Sequence, residues 1–159
     1  MIGYRNFPRE IQFTNHTCGP CSAFAIALFF SVGAEYAEVK EELRTNVDGT
    51  SNNNIIKFLR SRDLRVSPRS RMTWRELQLA LTDGCVVVVD LDGDHCGVVH
   101  GADDKNVYLM DPSLRRMIGR RLPISEFMER WDRGGISVRR RGKSARRRTR
   151  AKKGRTRLS

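Results

Sequence analysis

The chain has 159 residues, enough for one domain with a real core, and contains no apolar run of about 18 residues that could cross a membrane as a helix. Its formal charge of +12 is unevenly placed: residues 1–138 hold 18 basic and 18 acidic side chains, while residues 139–159 hold 12 Lys and Arg and no acid. Residues 1–9 lack the apolar stretch of a secretory signal, so a soluble, cytoplasmic protein is expected, with Cys18, Cys21, Cys85 and Cys96 as thiols rather than a disulfide framework.

In chain order, residues 1–17 read as extended or loop. Residues 18–32 are apolar nearly all round and predict a buried helix stopped by Gly33. A second, amphipathic helix is expected over 35–44, a polar loop over 49–54 and a short helix over 55–61. Residues 65–67 suggest a strand closed by Pro68. Thr73, with Glu76 three residues on, predicts a capping box opening a helix over 74–81.

The character then changes. Residues 85–91 form a β-branched run typical of a buried central strand. Strands over 97–102 and 106–110 follow, joined by a turn at Asp103-Asp104-Lys105. Another strand is expected over 116–121, then a helix over 125–131 capped by Ser125. A last strand over 136–139 would follow a Gly134-Gly135 turn. Helices first and strands later predict an α+β fold with an antiparallel sheet.

The chain therefore divides into a neutral folded body, 1–138, and an Arg/Lys-rich tail, 139–159. The tail has too little apolar surface to repay the entropy of ordering and is expected to be disordered. Its charge density predicts binding to nucleic acid or another polyanion by counterion release, which would place the protein at a nucleoid, a nucleus or a virion. No aromatic residues interleave its charges, so base stacking is not expected.

A cysteine at the first turn of a buried helix is the chemically informative feature. The helix dipole and the free N–H groups there favour thiolate, and Cys18 occupies that place, directly before Gly19-Pro20. Such a nucleophile needs a base, and the base needs an orienting group. His16 is too close along the chain to face Cys18. Between His95 and His100 the hairpin decides: with a two-residue loop at 103–104, residue 102 pairs with 105 and His95 lies across from 111 or 112. Asp111 is there, at the roughly 5 Å of a cross-strand pair, whereas His100 faces Val107. The triad expected from the residues is Cys18, His95 and Asp111, with no cofactor.

These residues sit in a wider pattern. Gln12-x5-Cys18-Gly-Pro resembles the signature of the double-glycine leader peptidases, papain-like cysteine peptidase domains known from bacteriocin-exporting ABC transporters. The stretches His95-x-x-Val98-Val99-x-Gly101, Val107-Tyr-Leu-Met-Asp111-Pro112 and Ile124-Ser-Glu-Phe127 followed by Trp131 fit the same family, over about residues 8–138. The resemblance implies a papain-like fold, its nucleophile helix packed on the C-terminal sheet, and a peptidase with a peptide or protein substrate; with no ABC transporter domain following, a free-standing form is expected. It further implies that Gln12 donates to the oxyanion beside the Cys18 backbone N–H, and that cleavage follows Gly-Gly. Thr17 stands where the family often has an acidic residue, and Cys21 where it has Ala.

The residues allow three other readings. Cys18-Gly-Pro-Cys21 is also the dithiol pattern of thioredoxins, but no strong apolar strand precedes it. Cys18, Cys21, His95 and Cys96 could hold zinc, but adjacent residues on a strand point to opposite faces, which separates His95 from Cys96. A non-catalytic, nucleic-acid-associated protein on a peptidase-like fold is the third.

Overall fold

In a computed structural model that describes residues 1–12, 14–113 and 121–142, α1 (Cys18–Phe29), α2 (Tyr36–Glu42) and α3 (Asn52–Ser61) precede almost the whole sheet. Only β1 (Ile2–Gly3) comes earlier. There follow β2 (Leu64–Arg69), α4 (Trp74–Thr82), β3 (Val86–Leu91), β4 (His95–Ala102), β5 (Asn106–Met110), β6 (Arg121–Pro123), α5 (Ile124–Arg130) and β7 (Trp131–Arg140). The expected α+β architecture is present. The strands form one antiparallel sheet in the order β2-β7-β3-β4-β5-β6, with β1 joined to β4.

Helix α1 is buried because its residues give it no polar face: Ala23, Ala25, Ile26 and Ala27 have almost no exposed surface. It ends at Phe29, three residues before the expected stop. Ser31 takes the left-handed conformation (φ 52°), and the Ser31 and Val32 N–H groups bond back to the Leu28 and Ala27 carbonyls, a Schellman closure made one turn early. Helix α3 starts at 52, earlier than expected, because the Ser51 hydroxyl accepts the Asn54 N–H and offsets the poor helix propensity of three asparagines. The capping box of α4 forms as predicted, Thr73 and Glu76 each satisfying the other's backbone N–H.

The sheet is covered on both faces. Ile26, Phe30, Val39, Leu43 and Leu59 of the first three helical segments pack over Val86, Val88, Val98, Ile136 and Val138. On the other face Leu77, Leu81, Phe127 and Trp131 pack with Val87, Val89, Leu91 and Val99. The four valines of β3 thus serve two cores at once, each fully buried side chain contributing about 1.5 kcal/mol or more.

Several local expectations differ from the structure. Pro68 lies inside β2 and does not close it, which the sheet tolerates because β2 is an edge strand. Ser125 is not a cap: α5 begins directly after Pro123, without a side-chain cap bond. Gly134 and Gly135 do not form a turn before the last strand. They belong to β7, at a bulge opposite Asp90 where Val89 pairs with Gly135 but Leu91 pairs with Trp131.

The strand expected over 116–121 falls largely outside the described residues, with Arg121 opening β6. Arg139 and Arg140, placed in the tail by composition, are paired in β7, where Arg140 donates to the Phe30 carbonyl at 2.8 Å. Residues 143–159 lie outside the described chain. No helix among the described residues is long and apolar enough to cross a membrane.

Candidate active site

Cys18 opens α1, so its sulfur sits at the positive end of a twelve-residue helix. The approach is held by a tight turn: the Thr17 hydroxyl donates to the Thr14 carbonyl at 3.1 Å. Gly19 is required where it stands, since a β-carbon there would press to 2.9 Å from the Thr50 side chain. Closeness of the 48–52 loop to the helix start makes one wall of a cleft.

His95 opens β4, and its Nε2 lies 2.6 Å from Asp111 Oδ1. The ring's other nitrogen is thereby left for Cys18, to which His95 is hydrogen-bonded. Asp111 Oδ1 also accepts the Ser113 N–H at 3.0 Å, and Oδ2 accepts Arg130 Nη2 at 3.1 Å. Arg130 is fixed in turn by Asp92, its Nη2 donating to Asp92 Oδ2 at 2.9 Å. The Asp111 carboxylate is thus saturated on the side away from the histidine.

His95 and Asp111 do meet, but not through the register the hairpin count expected. The Asp103 carboxylate accepts the Lys105 and Asn106 N–H groups, which widens the loop, so Ala102 pairs with Val107 rather than with residue 105. A bulge at His100 takes back one residue, leaving Val98 opposite Met110. His95 and Asp111 then meet on a diagonal beyond the last pair, a distance that a histidine spans.

Charge is strongly organised. A hydrogen bond from the Cys96 thiol lowers the Cys18 pKa most; despite burial, and with help from His95 and the Cys96 backbone N–H, it comes to about 4. Burial works to lower the His95 pKa, but Asp111 and the Cys18 thiolate outweigh it and raise it to about 9. Asp111 is likewise penalised by burial, yet His95, the Ser113 N–H and Arg130 hold it at about 2. A thiolate–imidazolium pair is therefore the resting state at neutral pH.

Cys96 and Arg130 are the participants that sequence reasoning missed. His95 and Cys96 both reach the Cys18 sulfur, against the alternation argument, because His95 is the first residue of β4 and lies at the end of the sheet. Cys96 stays protonated, its pKa pushed well up by its bond to Cys18 and by burial, with Ser22 Oγ 3.8 Å away. Cys21 is a buried thiol whose pKa burial raises to about 11, as a packed side chain one turn along.

Gln12 is buried and tethered to the same place. Its N–H donates to the Pro112 carbonyl at 2.8 Å, and its Nε2 donates to the Thr14 carbonyl at 2.9 Å. His100 is not at the site: its ring lies flat on Phe7 and Nδ1 is 2.8 Å from the Tyr4 carbonyl oxygen.

Cys18, Gly19, His95 and Cys96 open into a cleft of about 390 Å³, whose other walls come from the 48–55 segment, Asp90, the 93–94 turn and Asp132. A larger groove of about 570 Å³, between α4 and the β2–β7 edge, contains none of the triad.

The profile of the peptidase C39 family matches residues 6–143. No curated protein sequence matches the chain. Among solved structures, a double-glycine-motif protease from an AMS/PCAT transporter, in complex with its leader peptide, superposes with a TM-score of 0.76 at 18% identity, covering 87% of this chain and 95% of that one. A C39-like peptidase from Bacillus anthracis gives 0.72 at 15% identity over 89% and 98% of the two chains. The peptidase domain of Streptococcus ComA, a bi-functional ABC transporter of a quorum-sensing pathway, gives 0.71 at 17% identity over 87% and 100%. The thioredoxin-like and non-catalytic readings find no support in this set. The chain belongs to the peptidase C39 family and is a cysteine peptidase.

Proposed function

We propose that Cys18 is the nucleophile, His95 the proton carrier and Asp111 its orienting partner, and that the substrate is a peptide cut after Gly-Gly. The carrying observation is the His95 ring held between the Cys18 sulfur and a carboxylate 2.6 Å away. The Cys18 thiolate attacks the scissile carbonyl, and the tetrahedral oxyanion is stabilised by the Cys18 N–H and the Gln12 amide. The His95 imidazolium then gives its proton to the leaving amine, forming a thioester. Neutral His95 takes a proton from water, which attacks the thioester and releases the acid with Cys18 restored. The Gly-Gly preference rests on the family resemblance and on the leader peptide bound by the AMS/PCAT protease. A peptide aldehyde ending in Gly-Gly should label Cys18 alone. Equal labelling of Cys85 or Cys96, or none, would end this reading.

The ion pair sets the pH dependence. Lowering pH through about 4 protonates Cys18 and removes the nucleophile; raising it through about 9 takes the proton that His95 must deliver to the amine. A plot of kcat/KM against pH should be a broad bell with limbs near those values, belonging to the pair rather than to either residue. A single acid limb near the ordinary thiol pKa would contradict a preformed ion pair.

The basic segment supports a second property. Residues 139–159 carry all the excess charge of the chain, and we propose that they hold a nucleic acid through its phosphates. Removing residues 143–159, which spares the paired Arg139 and Arg140, should leave small-peptide cleavage unchanged. It should abolish retention of duplex DNA or RNA, whose binding by the full chain should weaken by about 1,000-fold or more between 50 and 200 mM salt. Unchanged retention after truncation would refute this.

A further inference from the structure

Beside the Cys18–His95 ion pair, the charged side chains lining the cleft are all acidic. Asp48, Asp90, Asp94 and Asp132 line it, with no lysine or arginine among the described residues of its walls. The Arg130 guanidinium is committed to Asp92 and Asp111. Nor is the acid an accident of mobile side chains. Asp132 accepts the Gly93 N–H at 2.6 Å, bracing one wall across the β3–β4 turn. Asp90 stands at the β7 bulge, where a β-carbon on Gly134 would overlap its carboxylate, so the backbone there is shaped around the acid.

Burial raises the Asp90 pKa most, a hydrogen bond from Asn52 works against it, and the negative charges of Asp132 and the Cys18 thiolate raise it further. Among the described residues no group of His, Cys, Asp and Glu is arranged to hold a metal ion. The open feature of this cleft is the reactive sulfur itself, so what enters is substrate.

We infer that this peptidase selects substrates carrying a lysine or arginine beside the scissile bond, with Asp48, Asp90, Asp94 and Asp132 as the specificity-determining residues. The inference rests on the reading of Cys18 as nucleophile, which fixes where substrate lies. A concave wall of one sign focuses its field, and a desolvated cationic side chain is what several carboxylates together recognise.

The test uses the full chain and three Gly-Gly peptides that differ only in the flanking residues, which are Lys, Ser or Glu. The Lys peptide should exceed the Glu peptide by about 10-fold or more in kcat/KM at low salt, the ratio shrinking as salt rises. The net charge of +12 would give the opposite order, so a Lys preference can come only from the cleft. Joint Asp48→Asn and Asp94→Asn replacement should bring the ratio within about 3-fold, and Asp48→Lys with Asp94→Lys should invert it.

The same peptides are titrated by fluorescence anisotropy against Cys18→Ala protein, which needs no turnover. Tighter Lys-peptide binding that the two Asn replacements erase supports the inference, even if no peptide is cut and the nucleophile reading fails. Equal binding, or equal cleavage of the Lys and Glu peptides, overturns it and leaves the nucleophile reading standing.

Discussion

Replacing His95 with Ala is expected to lower kcat by about 1,000-fold or more while the protein stays folded. Among the described residues, no other histidine stands beside Cys18 to serve as the proposed proton carrier. Among the other histidines, His16 is in the loop before the helix, and His100 is locked between Phe7 and the Tyr4 carbonyl. Loss of the ring also removes part of the support for the thiolate, so the acid limb of the pH profile should move upward.

His100→Ala is the matched control with the opposite signature. It opens a cavity under Phe7 and gives up a bond to a buried carbonyl, at a cost of about 2 kcal/mol in stability with kcat nearly unchanged. Single-turnover rates and thermal melts of the two variants separate the roles. Equal losses of rate would show that the base has been misassigned.

Gln12→Ala should reduce kcat by about 100-fold with little change in KM, the pattern of an oxyanion donor that acts only on the tetrahedral species. The position of the segment should survive, because its tether is the Gln12 backbone N–H on the Pro112 carbonyl, which alanine keeps. Nor does the change strand a partner of Oε1, which has none among the described residues. One amide hydrogen is used on Thr14; the other is the one available to the oxyanion. A rise in KM at constant kcat would reduce Gln12 to a binding contact.

How much of this could be read from the residues depended on whether the signal was local. The Cys18 helix announces itself by an apolar run with Gly-Pro at its start, and the α4 capping box by two residues three apart. Both are short-range physics. Gln12 and the Gly-Gly expectation came from the family pattern, not from spacing. The pairing of His95 with Asp111 was reached by counting across a hairpin, and the count was off because Asp103 uses its side chain to widen the turn.

Arg130 gave no sequence signal. It is 19 residues from Asp111, and an arginine late in a short helix reads as a solvated charge. Cys96 was set aside by strand alternation, a rule that holds inside a ladder and fails at its first residue. Gly134-Gly135 looked like a turn because glycine pairs usually are one. Only the neighbouring strand, supplying Asp90, explains why glycine is needed in the middle of β7.

The position of β7 has a consequence for how this enzyme comes into being. The last strand among the described residues lies between β2 and β3, one place in from the sheet edge, and carries Asp132 into the cleft beside Cys18. A growing chain therefore exposes two unpaired strand edges until residues 131–140 have emerged, and its nucleophile helix has only part of its packing surface. The nascent peptidase is therefore expected to be latent, because a fragment ending before Trp131 lacks β7 and leaves the sheet incomplete behind Arg130. Pairings between residue 64 and residue 140 also make the contact order high, so acquisition of activity should lag behind release of the full chain. A translation reaction sampled over time would reveal this as a delay between full-length product and Cys18 labelling, and simultaneous appearance would rule it out.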